Sequence, residues 1–282
     1  MKNHADAVDF SHGCLCRRRH KAVIIAELNF KIQLAVPSTQ SVCGMEIIMK
    51  ILAIESSAVT ASVAILTDDV VTAEYTINYK KTHSQTLLPM INEICSMTQT
   101  KPEEFDVIAV SVGPGSFTGL RIGAATGKGI ALALDKKMIA VPTLKAMAYN
   151  LYGTNKLICP VMDARRQHLY TAVYRFKDKG IIENILPQSL LSYKELADKL
   201  NEIGEDVIFT GDGMKPALES LEAELTCGYE FAPAHMATQR AASVAMAASD
   251  MYKNGQVISS FELKPEYLRP SQAERERINK EQ

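Results

Sequence analysis

Two acidic residues stand at the ends of apolar runs with similar surroundings. Glu55 closes the run KILAIE and Asp163 closes LICPVMD, and a polar turn and a second apolar run follow each of them. A carboxylate in such a turn can hold the metal of a bound nucleotide, or it can accept hydrogen bonds from nearby backbone N–H groups. Phosphate binding would require glycine for close backbone approach. Neither ESSAVTAS nor DARRQHLY contains glycine, so local capping is favoured over a vestigial nucleotide site at Glu55 and Asp163.

The most glycine-dense stretch is VGPGSFTGLRIGAATGKG, residues 112–129. Its first glycines suit a turn before a helix, where an anion could bind. Gly119, Gly123, Gly127 and Ala131 then recur every four residues, so they form one row on the predicted helix. Each interior glycine costs about 0.5–1 kcal/mol relative to alanine, so the row requires a close contact in return. From the residues alone, that contact is either with the chain's own sheet or with a helix of another protein.

Metal binding and nucleophilic catalysis have little support in the sequence. His83 is followed four residues later by Leu87, so it lacks the second histidine that would share an ion on one helix face. Ser56 and Ser116 do not lie in the Gly-x-Ser-x-Gly elbow of a hydrolase. We therefore expect no metal site and no catalytic residue. A weak zinc pattern, with one Cys-x-Cys pair and no second pair, comprises His12, Cys14, Cys16 and His20.

The elements that must position these residues alternate between strand and helix. Apolar runs predict strands at residues 50–54, 61–66, 70–77, 106–112 and 138–141. Helical spacing predicts helices at residues 84–97, 118–134 and 143–152. This alternation is typical of the α/β class, in which helices cover a sheet.

The same pattern occurs twice along the chain. KLICPVMDARRQHLYTAVYRF repeats the strand, acid, turn and strand of KILAIESSAVTASVAIL, and DVIFTGDG mirrors DVIAVSVGPG. We therefore predict two similar lobes, at residues 49–153 and 154–282, the second including a C-terminal helix and tail. We interpret residues 1–48 as an extension with little fixed structure. The net charge of −1 over 282 residues excludes a strongly basic nucleic-acid-binding protein, and the apolar runs are too short to span a membrane, so we expect a cytoplasmic protein.

Five segments resemble the TsaB family, also called YeaZ. They are MKILAIESS, HSQTLLPMI, SVGPGSFTGLRIG, PVMDARRQHLYTAVY and KPEYLR, and they run in the family's order from Met49 to about Arg269. The resemblance implies an actin-like ATPase (ASKHA) fold, with two similar lobes that each contain a mixed sheet and flanking helices. It also implies a non-catalytic subunit of the bacterial machinery that makes threonylcarbamoyladenosine in transfer RNA.

Partners follow from the same resemblance. Such a subunit docks on the catalytic subunit TsaD as a heterodimer, and the ATPase TsaE joins the assembly. The transferred group goes to the adenosine 3′ of the anticodon. The resemblance therefore implies that this chain contacts transfer RNA only within the complex. ATP is used by the partner subunits, so no cofactor is expected on this chain, and the chain alone could form a homodimer. Arg165, Arg166 and Arg175 could touch RNA, although a solvated surface is the favoured interpretation.

Docking residues can be named on the same basis. In the family, the helix near residues 84–97 and the glycine-rich helix pair with their equivalents in TsaD, which favours partner contact for the glycine row. The predicted docking residues are Leu87, Leu88, Ile91, Ile94, Gly119, Arg121, Gly123, Gly127 and Ala131. The alternative function is that of an ATP-dependent phosphotransferase or ATPase of the actin and sugar-kinase superfamily, which nucleotide binding by the isolated chain would favour.

Overall fold

The computed structural model describes residues 49–177 and 180–269. The predicted extension at residues 1–48, which contains the weak zinc pattern, lies outside the described residues. The same holds for the tail after residue 269.

A five-stranded mixed sheet forms the first half of the described chain. Its strands are β1 (Lys50–Glu55), β2 (Thr60–Thr67), β3 (Val70–Asn78), β4 (Val107–Gly113) and β5 (Lys137–Pro142), in the order β3-β2-β1-β4-β5. Strand β1 pairs antiparallel with β2 and parallel with β4. The central strands are apolar at nearly every position because helices cover both faces of the sheet.

The first three helices of the described chain pack on this sheet. They are α1 (His83–Thr98), α2 (Phe117–Ala133) and the short α3 (Thr143–Ala148). Helix α2 begins where predicted to within one residue, after Ser116, whose side-chain oxygen accepts the backbone N–H of Gly119 at 3.3 Å. This contact satisfies one of the donors left unpaired at a helix start.

A second five-stranded sheet repeats the first. Its strands are β6 (Leu157–Asp163), β7 (His168–Phe176), β8 (Ile182–Ser192), β9 (Val207–Thr210) and β10 (Tyr229–Phe231). Their order, β8-β7-β6-β9-β10, and their directions match those of the first sheet strand for strand. Helices α4 (Tyr193–Ile203) and α5 (Met214–Glu224) cover one face. The predicted architecture of two similar halves is therefore confirmed.

Helix α3 lies between the two sheets and contributes to both cores. Ala146 packs in the cluster below the first sheet, while Leu144 and Met147 pack against the second sheet. Two apolar clusters, one for each half, therefore share this short helix.

The last helix, α6 (Ala241–Lys253), packs on the first sheet. The boundary predicted at residue 154 had placed this helix with the second half. The difference has a simple reason, since the buried side of α6 carries small residues such as Ala245 and Ala248, which lie close to the flat face containing Ala53 and Ala109. None of the helices at residues 49–177 and 180–269 is both long and apolar enough to cross a membrane.

Candidate functional site

The glycine row of α2 faces the chain's own first sheet. A side chain on Gly119 would overlap the carbonyl oxygen of Ser56, and one on Gly123 would overlap the Ser56 hydroxyl. A Cβ atom on Gly127 would lie 2.5 Å from Cγ2 of Val110. The helix backbone therefore rests directly on the strands, as the rival interpretation of the row required.

This placement corrects four of the predicted docking residues. Gly119, Gly123, Gly127 and Ala131 are all buried within the chain, so they cannot meet a partner helix while the chain is folded. The Ser56 hydroxyl donates to the carbonyl of Gly119 at 3.0 Å, which holds the helix against the turn after β1.

Helix α1 shows the same division between a buried and an exposed side. Leu87 is 1% exposed, and Ile91 and Ile94 belong to the same core cluster, so these three predicted docking residues are also internal. The physical reason is that the apolar stripe of an amphipathic helix covers its own core. Leu88, by contrast, is 55% exposed and remains available to a partner.

Several apolar and small residues of α1 and α2 are exposed. Besides Leu88, Met97 is 77% and Leu132 is 62% exposed. A Cβ atom on Gly129 would meet nothing within 4 Å. We use the name outer face for the exposed sides of α1 and α2, and define it by the exposed residues Leu88, Met97, Arg121, Gly129 and Leu132.

Arg121 is held on the outer face by an aromatic pair. The rings of Phe117 and Tyr267 are stacked, with centroids 4.2 Å apart and planes inclined by 10°. Arg121 donates from Nε to the Tyr267 hydroxyl at 3.0 Å, and its guanidinium carbon lies 6.0 and 5.8 Å from the two ring centroids. The sequence prediction included Arg121 but missed Tyr267, although the segment KPEYLR had carried part of the family resemblance.

Residues 263–269, which we name the C-terminal strap, bring Tyr267 to this position. Leu263 is buried in the core of the first sheet, and the N–H of Glu266 donates to the carbonyl of Val112 at 2.7 Å. Arg269 donates from Nη1 to the carbonyl of Ala164 at 2.9 Å, beside the second sheet. The strap therefore makes contacts with both halves.

Glu55 is buried at the end of β1. Its carboxylate accepts the backbone N–H of Ser57 at 2.6 Å, and only 1% of the residue is exposed. Burial raises the pKa of the Glu55 carboxyl above its ordinary value, because the charged form loses its solvation. The geometry is that of a carboxylate capping its own turn.

Asp163 has the equivalent local geometry at the end of β6. Its Oδ1 accepts the backbone N–H of Arg165 at 2.7 Å, and the Arg165 guanidinium lies 3.0 Å from Oδ2. Arg175, another residue considered for RNA contact, donates two hydrogen bonds to Glu205 at 2.6 and 2.7 Å. Two of the three candidate arginines therefore already pair with acids of this chain.

A cleft of about 560 Å³ opens between the ends of the two sheets. Asp163 lines it, whereas Glu55 does not, so this cleft does not bring together the two acids proposed for a vestigial nucleotide site. The cleft is lined by Ser57, Ala58, Val59, Gly115, Ser116, Phe117, Met162, Asp163, Ala164, Arg165, Arg166, Tyr170, Asp212 and Arg269.

His83 is the first residue of α1, as expected for a helix-start residue. Its Nε2–H donates to the carbonyl of Ala58 at 2.8 Å, because a carbonyl oxygen can only accept. This bond ties the start of α1 to the turn between β1 and β2. Over the parts of the chain that the structure describes, no group of three or more His, Cys, Asp or Glu residues is arranged to hold a metal ion.

The sequence matches one protein-family model and several known proteins. The family model TsaD, described as tRNA N6-adenosine threonylcarbamoyltransferase, matches residues 70–277. The tRNA threonylcarbamoyladenosine biosynthesis protein TsaB of Bacillus subtilis is 32% identical over 226 residues, which cover 80% of this chain and 96% of that protein. TsaB of Escherichia coli is 28% identical, and the match covers 78% of this chain and 95% of that protein.

A solved structure shares the fold. YeaZ from Pseudomonas aeruginosa has a TM-score of 0.68 and 23% identity, with 78% of this chain and all of that chain covered. The two mixed sheets with flanking helices confirm the predicted α/β architecture of two similar halves, a fold that the chain shares with YeaZ. Relatives matched over nearly their full length carry the TsaB name, and the chain therefore belongs to the TsaB (YeaZ) family.

Proposed function

We propose that this chain is a non-catalytic subunit in the biosynthesis of threonylcarbamoyladenosine in transfer RNA. It docks through the outer face of α1 and α2 on a TsaD-like catalytic subunit. The complex transfers the threonylcarbamoyl group to the adenosine 3′ of the anticodon.

The observation that carries this proposal is the composition of the outer face. Leu88, Met97 and Leu132 are exposed apolar side chains on neighbouring helices, and the backbone of α2 is accessible at Gly129. A partner that covers these side chains would remove their apolar surface from water, which favours binding. An accessible glycine on a helix allows a partner to approach the backbone closely.

The non-catalytic role is supported by the two strand-end acids. The carboxylates of Glu55 and Asp163 each accept a hydrogen bond from their own turn, and those turns lack glycine. The rival function, that of an ATP-dependent phosphotransferase or ATPase, has the cleft in its favour because its volume is in the range of ligand sites. Purified chain incubated with ATP and magnesium should neither bind nor hydrolyse the nucleotide. Turnover that is lost in Asp163→Asn would support the rival function instead.

The proposed assembly includes further components. A TsaE-like ATPase joins the two subunits, ATP is consumed by the partners, and transfer RNA is met only within the complex. We place this assembly in the cytoplasm, where transfer RNA is modified. The net charge of −1 is consistent with a chain that does not bind RNA by itself.

The docking proposal is tested by the affinity of the full chain for the TsaD-like subunit of the same organism. Leu132→Glu places a charge on the outer face, and Val70→Glu places one on β3, outside α1 and α2. Val70 is a matched control for Leu132, because the two residues are 65% and 62% exposed. We expect Leu132→Glu to weaken binding by tenfold or more, which is about 1.4 kcal/mol, and Val70→Glu to bind like the wild type.

Equal loss in both variants, or in neither, would contradict docking through the outer face. Sedimentation of the isolated chain provides the companion measurement. A homodimer that Leu132→Glu dissociates would show that the same surface also pairs with a second copy.

A further inference from the structure

Tyr267 connects the C-terminal strap to the outer face. Its ring stacks on Phe117 at the start of α2, and its hydroxyl accepts the Nε–H of Arg121 one turn later. The contact joins residues that are 146 positions apart in sequence. Tyr267 therefore belongs to a different part of the chain from the helix whose side chain it holds.

The strap itself is fixed on both sides of Tyr267. The preceding residue, Glu266, donates its N–H to Val112, and its carboxylate accepts the side-chain amide of Gln188 at 2.7 Å. Two residues after Tyr267, Arg269 bonds to the carbonyl of Ala164. These anchors leave the tyrosine ring little freedom to move away from α2.

The arrangement orders a side chain that would otherwise be flexible. Arginine loses considerable rotamer entropy when a partner immobilises it. The hydrogen bond from Nε to the Tyr267 hydroxyl restrains the guanidinium of Arg121 beside the stacked rings, whose centroids lie 6.0 and 5.8 Å from its central carbon, before any partner arrives. Arg121 is nevertheless exposed, so a second protein can contact it.

We propose that Tyr267 is a positioning residue, which orients Arg121 on the outer face to pair with a carboxylate of the partner subunit. This rests on the proposed function, since it assumes that α2 docks on that subunit. A carboxylate is the expected group because the planar guanidinium fork matches its two oxygens.

The first test uses the isolated chain and requires no partner. The Nε–H signal of Arg121 in a ¹⁵N NMR spectrum reports whether this group is held, and Tyr267→Phe removes the acceptor while keeping the ring. We expect the Arg121 signal to shift and its hydrogen exchange to accelerate in Tyr267→Phe. Tyr252→Phe is the control, because Tyr252 on α6 has the same 39% exposure as Tyr267. An unchanged Arg121 signal in Tyr267→Phe would overturn the proposal.

The second test measures affinity for the TsaD-like subunit in a double-mutant cycle. We expect Tyr267→Phe to weaken binding about three- to tenfold, and Arg121→Ala to weaken it at least as much. In the Arg121→Ala background, Tyr267→Phe should not weaken binding further, because Tyr267 affects the affinity only by orienting Arg121.

Each other outcome has a definite meaning. Wild-type affinity in Tyr267→Phe, or an equal loss in both backgrounds, would overturn the positioning role while leaving docking intact. Absence of binding by the wild-type chain would overturn the proposed function, and with it the role of the Arg121 guanidinium toward a partner.

Discussion

Glu55 and Asp163 occupy equivalent positions in the two sheets, and each carboxylate accepts a hydrogen bond from the backbone N–H two residues further on. The distances are 2.6 Å to Ser57 and 2.7 Å to Arg165. The equivalence reflects the repeated strand order of the two halves. The environments nevertheless differ, because Glu55 is enclosed by the first sheet, whereas Asp163 is only partly buried and pairs with an exposed arginine.

The burial of Glu55 predicts a pH dependence of stability. Its pKa is raised in the folded chain from the ordinary value of 4.5, so the folded state binds a proton more tightly than the unfolded state. The free energy of unfolding therefore falls as pH rises from 4.5 through the raised pKa, by up to about 1.4 kcal/mol per pH unit. Glu55→Gln should abolish this fall, so the variant should exceed the wild type in stability at pH 8 and match it at pH 4.

Urea denaturation at several pH values measures this difference. Glu93→Gln is a suitable control, because Glu93 is exposed on α1 and its replacement removes the same charge. A pH profile of Glu55→Gln that runs parallel to the wild type would contradict the assigned effect of burial.

The two sides of α2 predict opposite effects for the same substitution. Gly123→Leu adds a side chain that overlaps Ser56, so we expect a loss of about 1–3 kcal/mol in folding stability or failure to fold. Gly129→Leu adds it where a Cβ atom meets nothing within 4 Å. Since leucine is a better helix former, Gly129→Leu should gain up to about 1 kcal/mol in stability.

The effect of leucine at Gly129 on affinity for the partner subunit provides a second prediction. Gly129→Leu should bind the TsaD-like subunit at least tenfold more weakly, because the new side chain holds the partner away from the α2 backbone. Melting temperature and affinity measured on one preparation of each variant provide the comparison. A stable Gly123→Leu chain, or full affinity in Gly129→Leu, would show that the assignment of the two sides is incorrect.

The start of the first sheet predicts the effect of trimming the N-terminus. Strand β1 begins at Lys50, and the N–H of Met49 donates to the carboxylate of Asp68 at 2.9 Å. We expect a chain that starts at Met49 to melt within a few degrees of the full chain, since 1 kcal/mol corresponds to about 2–4 °C at this size. A much larger fall, measured by differential scanning calorimetry, would show that residues 1–48 contribute to the fold.

Much of the architecture could be predicted because periodic patterns are local. The apolar run after Met49 predicted β1 to within one residue, and helical spacing after Thr118 predicted α2. The repetition of an acid-bearing strand pair predicted the second sheet. The first two inferences depended on residues close together in the sequence, where the period of the structure is visible, and the third compared two such local patterns.

The orientation of the helices was harder to predict. A row of glycines such as Gly123 and Gly127 identifies a side of close approach, but the row is the same whether a strand or a partner helix lies against it. For α1, the period itself contained the answer, since Leu87 and Ile91 form the stripe that an amphipathic helix turns to its own core. The pairing of Arg121 with Tyr267 joins distant segments, and no local pattern could reveal it.

The position of α6 has a consequence for how the protein is made. Val107 and Ala109 of the first sheet lie beneath Val244 and Ala248, which the ribosome adds only after the whole second sheet. A nascent chain therefore carries the strands of the first sheet with one apolar side bare while the remainder is translated. Such a surface is prone to aggregation, and the first half can complete its folding only after the second has been synthesised.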